Sequence, residues 1–358
     1  MKSIRKVLIG FLLLGIFCSC AKEDTYIPVS PVVLDLTQVP YPKLSDYKFF
    51  DGVLKDLKPA YGVLPYQPAS SLFTDYAEKS RYIWMPKGVK ATYVADGTIL
   101  NFPVGSVLIK NFYYSHAMPA DAKKVVETRI MILKSDGWIF VDYLWNEEQT
   151  DAFLQINALT LPGFSFKKST GEQITTDYKV PSQIQCGYCH KVNNQFIPIG
   201  VKPQNINWSY AYPEGSKNQL QKLIDFGYLE NTLPTTIVST VDYTDATQPL
   251  DLRVRSYFDA NCAHCHEDGA YASMYNLRFD FTESVAANKL GICKNALHFV
   301  PGYPGKIVIG GNPAQSILYY KMSTNNPLYQ MPVVGRTMVH TEGVQLIEQW
   351  INSLAPCN

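Results

Sequence analysis

The rhythm of apolar and polar residues changes along this 358-residue chain. Through 98–114, 125–133 and 137–145 the chain is dense in β-branched and aromatic residues that partly alternate with polar ones. The alternation is clearest in Glu127-Thr128-Arg129-Ile130-Met131-Ile132. A period of two sends successive side chains to opposite faces of a sheet, so these stretches predict strands. Asp96-Gly97 and Asp136-Gly137 are the turn dipeptides expected between them, because Gly accepts positive φ and Asp tolerates the left-handed region. The pattern predicts an antiparallel sandwich or barrel-like domain over 40–180. Residues 26–42, with four prolines, predict an extended segment, and 20–39 reads as a tether.

The last third follows a helical period. Leu250, Val254, Tyr257 and Phe258 share one helix face, and Val344, Ile347, Trp350, Ile351 and Leu354 form a stripe on a closing helix. Asn312 and Pro313 look like an N-cap and first residue for a helix over 314–322. The fold class expected is therefore α+β and multidomain, with a β domain followed by a mostly α-helical domain over 249–358. Between them lies a separate segment, 181–248, expected to bind a cofactor of its own through Cys186, Cys189 and His190.

At the amino terminus, Lys2, Arg5 and Lys6 precede an apolar stretch over 7–17 that is short for a membrane span and predicts an export signal over 1–19. It ends at Cys18-Ser19-Cys20, which resembles a bacterial lipoprotein cleavage box with Cys20 as the lipidated residue. Phe17 departs from the Leu usual three places before that cysteine. Acyl chains on Cys20 would hold the chain at a membrane. The following Lys22-Glu23-Asp24 resembles the short acidic export signal of surface lipoproteins in Bacteroidetes-type bacteria. These features predict the cell envelope of a Gram-negative bacterium, at the outer membrane or cell surface, facing periplasm or exterior. Composition adds a packed interior, with 46% hydrophobic and 18% charged residues, while a formal net charge of +1 argues against a nucleic-acid partner.

Candidate chemistry lies in two copies of Cys-x-x-Cys-His: Cys186-Gly187-Tyr188-Cys189-His190 and Cys262-Ala263-His264-Cys265-His266. Two thiols at this spacing can each add to one vinyl group of a haem, and the adjacent imidazole, from His190 or His266, can bind its iron. Zinc sites and thioredoxin-like centres also use Cys-x-x-Cys, but zinc does not require the following His, and no βαβ unit surrounds either motif. The spacing predicts two covalently bound haem c groups. His264, inside the second motif, reads as a surface residue. Cys293 and Cys357 are a leftover pair suited to a disulfide outside the cytoplasm, with free buried thiols as the alternative.

Residues from about 251 to 358 resemble a class I cytochrome c domain, with an opening helix, Cys-x-x-Cys-His, a long loop region, Met331-Pro332 and a final amphipathic helix. That resemblance implies Met331 as the sixth iron ligand, with Met322 and Met338 as fallbacks. More widely, Tyr61-Gly62-Val63-Leu64-Pro65-Tyr66, Phe102-Pro103-Val104-Gly105, Glu127-Thr128-Arg129, 145–151 and the two motifs resemble a family of secreted bacterial dihaem c-type cytochromes of largely unassigned role. The resemblance implies haem binding and electron transfer to redox partner proteins. The alternative it leaves is a dihaem peroxidase-like or other haem oxidoreductase with an open first haem. For that haem's distal side, His116, Met118, Met85, His298 and His340 are candidates.

Overall fold

The computed structural model describes residues 28–357; the expected signal peptide and Cys20 lie outside them. From Pro31 onward the chain forms one unit. Its centre is an eight-stranded antiparallel sheet built from β1 (Leu64–Tyr66), β2 (Glu78–Trp84), β3 (Val107–Ala117), β4 (Ala122–Lys134), β5 (Gly137–Trp145), β6 (Ala152–Gln155), β7 (Leu159–Lys167) and β8 (Gln173–Val180). Strands β1 to β6 are neighbours in chain order, and β7 pairs with both β3 and β8. Irregularities in the β3–β4 register after Phe112 and Tyr114 let the end of β3 meet β7 through Ala117 and Phe166.

The alternation seen in sequence sorts the two faces of this sheet. Tyr82, Trp84, Val107, Ile109, Ile130, Ile132, Val141 and Tyr143 bury one face against Tyr41, Leu44, Tyr47 and Phe49. Val32, Leu34 and Leu36, from the expected tether, pack on the same core. On the opposite face the register aligns Arg81, Lys110, Arg129 and Asp142 across four strands. The predicted strand over 98–114 begins only at Val107, because Pro103 lacks an amide donor and Gly105 sits at φ 90°. Asp136-Gly137 closes the tight β4–β5 turn, where Lys134 pairs with Gly137. Asp96-Gly97 instead turns a loop flanked by the single bridge Thr92–Asn101.

Beyond the sheet come α1 (Gln183–His190), the short hairpin β9 (Lys191–Val192) and β10 (Gln195–Phe196), α2 (Pro203–Ile206), the hairpin β11 (Ser209–Tyr212) and β12 (Gly215–Asn218), and α3 (Gln219–Phe226). The last third holds α4 (Leu250–Phe258), α5 (Ile317–Ser323) and α6 (Thr341–Ser353). The expectation of a mostly α-helical cytochrome c domain over 249–358 is overturned here. Strands take 26% of the residues and helices 21%, and the carboxy-terminal part is not a helical cytochrome c domain. Between α4 and α5 the backbone runs mainly as loops and turns, with short non-α helical turns at 259–263, 273–275, 283–285 and 313–315. Gly269, Gly291, Gly302, Gly305 and Gly311 all take positive φ there, and no helix propagates through that conformation. Asn312 does cap the turn at Pro313, accepting from the Gln315 amide at 3.3 Å, but that turn is 3-10 and α5 starts only at Ile317.

The two predicted amphipathic helices are present and meet. Val254, Tyr257 and Phe258 of α4 share a core with Val344, Ile347, Trp350 and Ile351 of α6. Cys293 and Cys357 form a disulfide, which ties the loop after α4 to the segment following α6. No helix among the described residues is long and apolar enough to cross a membrane.

Candidate cofactor site

The first motif lies on α1. Val180-Pro181 ends the sheet, and Ser182 caps the helix by accepting from the Gln185 amide while Gln185 returns a bond to the Ser182 amide. Cys186 and Cys189 then fall on one helix face, and His190 ends the last turn. The His190 ring packs at 4.6 Å from Phe140 of β5, and its Nδ1 bonds the Ile197 carbonyl at 2.9 Å. With Nδ1–H donating to that carbonyl, Nε2 carries the lone pair, the tautomer a metal-ligating imidazole requires. Burial pushes His190 down to about 4, which keeps the ring neutral.

The second motif continues from α4 through a π turn, Asp259–Ala263, and the amides of Cys265 and His266 both bond the Cys262 carbonyl at 3.1 Å. Asp259 anchors that turn. Its carboxylate accepts from Lys202 Nζ at 3.3 Å, Gln204 Nε2 at 3.1 Å, Asn205 Nδ2 at 3.0 Å and the Phe281 amide at 3.1 Å. Burial also lowers His266 to about 4, and its Nδ1 has no hydrogen-bond partner.

Far apart in sequence, the two motifs touch. The Sγ atoms of Cys189 and Cys265 are 3.9 Å apart, and Cys265 Sγ also approaches the Tyr188 carbonyl at 3.2 Å. Tyr188 packs on Tyr271, and the Asn193 amide bonds the Gly269 carbonyl at 3.0 Å. His264, expected at the surface, is 6% exposed and stands with Cys189 and Cys265, their donor atoms within 4.8 Å of one another. The Cys265 contact holds the Cys189 thiol well below its usual range and pushes Cys265 up. Burial, opposed by the nearby Arg129, raises Cys186 to about 11, and burial alone raises Cys262 to about 12.

Two cavities flank α1. One of about 550 Å³ is lined by Gln183, Gly187, Tyr188, Lys191 and Tyr271. The other, about 320 Å³, lies between α1 and the charged sheet face, and Cys186, Cys189, His190, His264, Arg81 and Lys110 all reach it. Pro332, Val334 and Gly335 line this second cavity too. The loop carrying Met331 therefore borders the first motif's cavity, whereas the resemblance assigned Met331 to the second haem. Met331 precedes a cis proline, and its amide bonds the Lys321 carbonyl at 2.8 Å. Met322 packs in the same core as Cys262, Met338 lies against the β7–β8 core, and Met85 is 2% exposed inside another.

The remaining histidines have other partners. His340 stacks on Phe73 at 4.1 Å, with Nδ1 3.1 Å from the Tyr257 hydroxyl and Nε2 3.4 Å from that of Tyr243. His116 pairs with Asp121 at 3.0 Å, and His298 Nε2 lies 3.2 Å from the Tyr275 hydroxyl.

The donor set suits a tetrapyrrole. Each motif offers two thiols and a terminal imidazole; around the first stand an apolar-walled cavity and cations able to meet carboxylates. Several buried polar atoms there lack a hydrogen-bond partner, among them Arg129 Nε, both Asp142 carboxylate oxygens and His264 Nδ1. The charged row escaped the sequence reading because Arg81, Lys110 and Arg129 alternate with apolar residues as they would on a solvated sheet face. The chain matches no family model, no curated protein and no solved structure.

Proposed function

We propose that this chain is an exported dihaem c-type cytochrome that carries single electrons. Cys186 and Cys189 would bind one haem and Cys262 and Cys265 the other. In each thioether link the sulfur joins a vinyl carbon and the thiol hydrogen passes to the neighbouring carbon, so attachment consumes neither oxidant nor reductant. His190 and His266 would bind the irons, and Met331 would supply a distal sulfur. The observation that carries the reading is the meeting of two complete motifs, Sγ to Sγ at 3.9 Å, beside a His190 whose Nδ1 is already committed. The bound haems would supply one-electron chemistry. The chain's own part is to hold the attachment points together, exclude water with the sheet face and keep the imidazoles neutral.

Export, an acyl anchor on Cys20 and docking of redox partner proteins belong to the same proposal. Haem staining after denaturing electrophoresis tests attachment: the wild-type chain stains, Cys186→Ala/Cys189→Ala retains one haem, and loss of both motifs abolishes staining.

A second reading rests on Cys189, His264 and Cys265, whose ligand atoms lie within 4.8 Å of one another. Two thiolates and an imidazole are the donors zinc or a soft transition metal takes. A stoichiometric metal bound by the exported chain, with no haem stain, would favour it.

A further inference from the structure

We propose that Arg81 and Lys110 form the carboxylate-binding edge of the first haem site, pairing with the propionates of the haem attached at Cys186 and Cys189. This rests on the haem reading above and adds residues from a different part of the fold.

The charge balance of the sheet face leads there. Arg81, Lys110, Arg129 and Asp142 lie side by side on β2, β3, β4 and β5, and all four reach the cavity shared with Cys186, Cys189 and His190. Arg129 is compensated within the protein: its guanidinium bonds Glu127 Oε1 at 2.5 Å and faces Asp142 at 3.8 Å. Burial, and then the Glu127 charge, push Asp142 well above the usual carboxylate range. Glu127 is therefore the counter-ion of Arg129.

Arg81 and Lys110 have no such partner. Arg81 is 7% exposed and makes no salt bridge among the described residues. The ammonium of Lys110 lies 4.7 Å from the Phe112 ring and makes no salt bridge among the described residues. Burial and the neighbouring Arg81, Lys79 and Arg129 push Lys110 well below its usual range. A buried cation without a counter-ion costs several kcal/mol. The buried Arg81 and the half-buried Lys110 beside it, both turned into a cavity, suit a ligand with two anionic groups. A haem carries two carboxylates on one edge, and the thiols and imidazole that would hold it stand across the same cavity. Guanidinium meets a carboxylate with two parallel donors, and the ammonium supplies a point charge beside it.

Removing either cation stabilises ferric over ferrous iron, because ferric iron carries one more positive charge that the cation repels. Arg81→Gln and Lys110→Gln, each checked by intact mass for two haems, should lower the midpoint potential of one redox transition, the same in both variants. That transition should be the one missing from Cys186→Ala/Cys189→Ala. Arg81→Lys should restore most of the wild-type potential. In wild-type protein the redox-difference infrared spectrum should show ion-paired carboxylate bands that move in the Gln variants, a readout a purely structural role would leave in place. Both haems retained with potentials and bands unmoved would overturn the pairing alone. A wild-type chain with no haem at Cys186 and Cys189 would overturn it together with the reading it rests on. If the Gln variants fail to fold, wild-type bands typical of unpaired carboxylates would refute the pairing without them.

Discussion

Asp259 joins the second motif to the rest of the unit, and Asp259→Ala should be among the costliest single substitutions outside the hydrophobic cores. The side chain is 3% exposed and sits where α4 gives way to the π turn leading into Cys262. It accepts four hydrogen bonds from two other segments, 202–205 and Phe281, and its ionic partner Lys202 is 8% exposed. Burial by itself would depress the Lys202 ammonium, yet Asp259 and then Glu267 carry it above its usual value. Truncation to Ala strands that ammonium in the interior, a loss of about 3–5 kcal/mol for a broken buried pair. Urea unfolding followed by tryptophan fluorescence measures it. Lys202→Met removes the orphaned charge, so the double variant should recover part of the loss, with a coupling energy of about 1–3 kcal/mol. A cost below about 1 kcal/mol for Asp259→Ala, or strict additivity in the cycle, would refute this account of how the motif is anchored.

Three further outcomes follow from other parts of the fold. Replacing Cys293 and Cys357 by Ala opens a disulfide spanning 64 residues, and loop-closure entropy puts the loss at about 4 kcal/mol; denaturant titration of the oxidised protein and the double variant checks it. Burial lowers His340 to about 4 in the folded chain, so the unfolded chain takes up the proton first as pH falls below about 6.5. His340 should contribute about 3 kcal/mol to the loss of stability between about pH 6.5 and 4, and His340→Gln should make the decline shallower by that amount. Met331→Ala should abolish the sulfur-to-iron charge-transfer band of the oxidised protein and lower one of two midpoint potentials. Repeating it in the Cys186→Ala/Cys189→Ala background tells which haem Met331 serves, since the band persists there only if the second haem owns it.

Local pattern carried much of the sheet and less of what surrounds it. Strands β4 and β5 were legible because alternation through 127–132 and the Asp136-Gly137 turn agree, each reinforcing the other. The strand predicted over 98–114 failed in its first part, at Pro103 and Gly105, where backbone chemistry outweighs a run of apolar residues. Helices α4 and α6 were visible as stripes, but a helical domain also needs the interval between them to propagate, and its positive-φ glycines prevent that. Both Cys-x-x-Cys-His motifs were evident from spacing alone. Their contact was not, since it depends on α1 and the π turn converging through tertiary packing. The burial of His264 was missed for the same reason. The cation row of Arg81, Lys110 and Arg129 exists only once strand register is known, because no two of the three are close in sequence.

The central claim is that the exported chain carries two haems bound through Cys186, Cys189, Cys262 and Cys265, the four free cysteines among the described residues. Intact mass spectrometry of the purified protein under denaturing conditions, with peptide mapping of the two motifs, tests this most directly. The predicted result is a mass increased by two haem groups, one on the peptide holding Cys186 and Cys189 and one on that holding Cys262 and Cys265. A chain at its unmodified polypeptide mass across both motifs, with all four thiols open to alkylation, would contradict it.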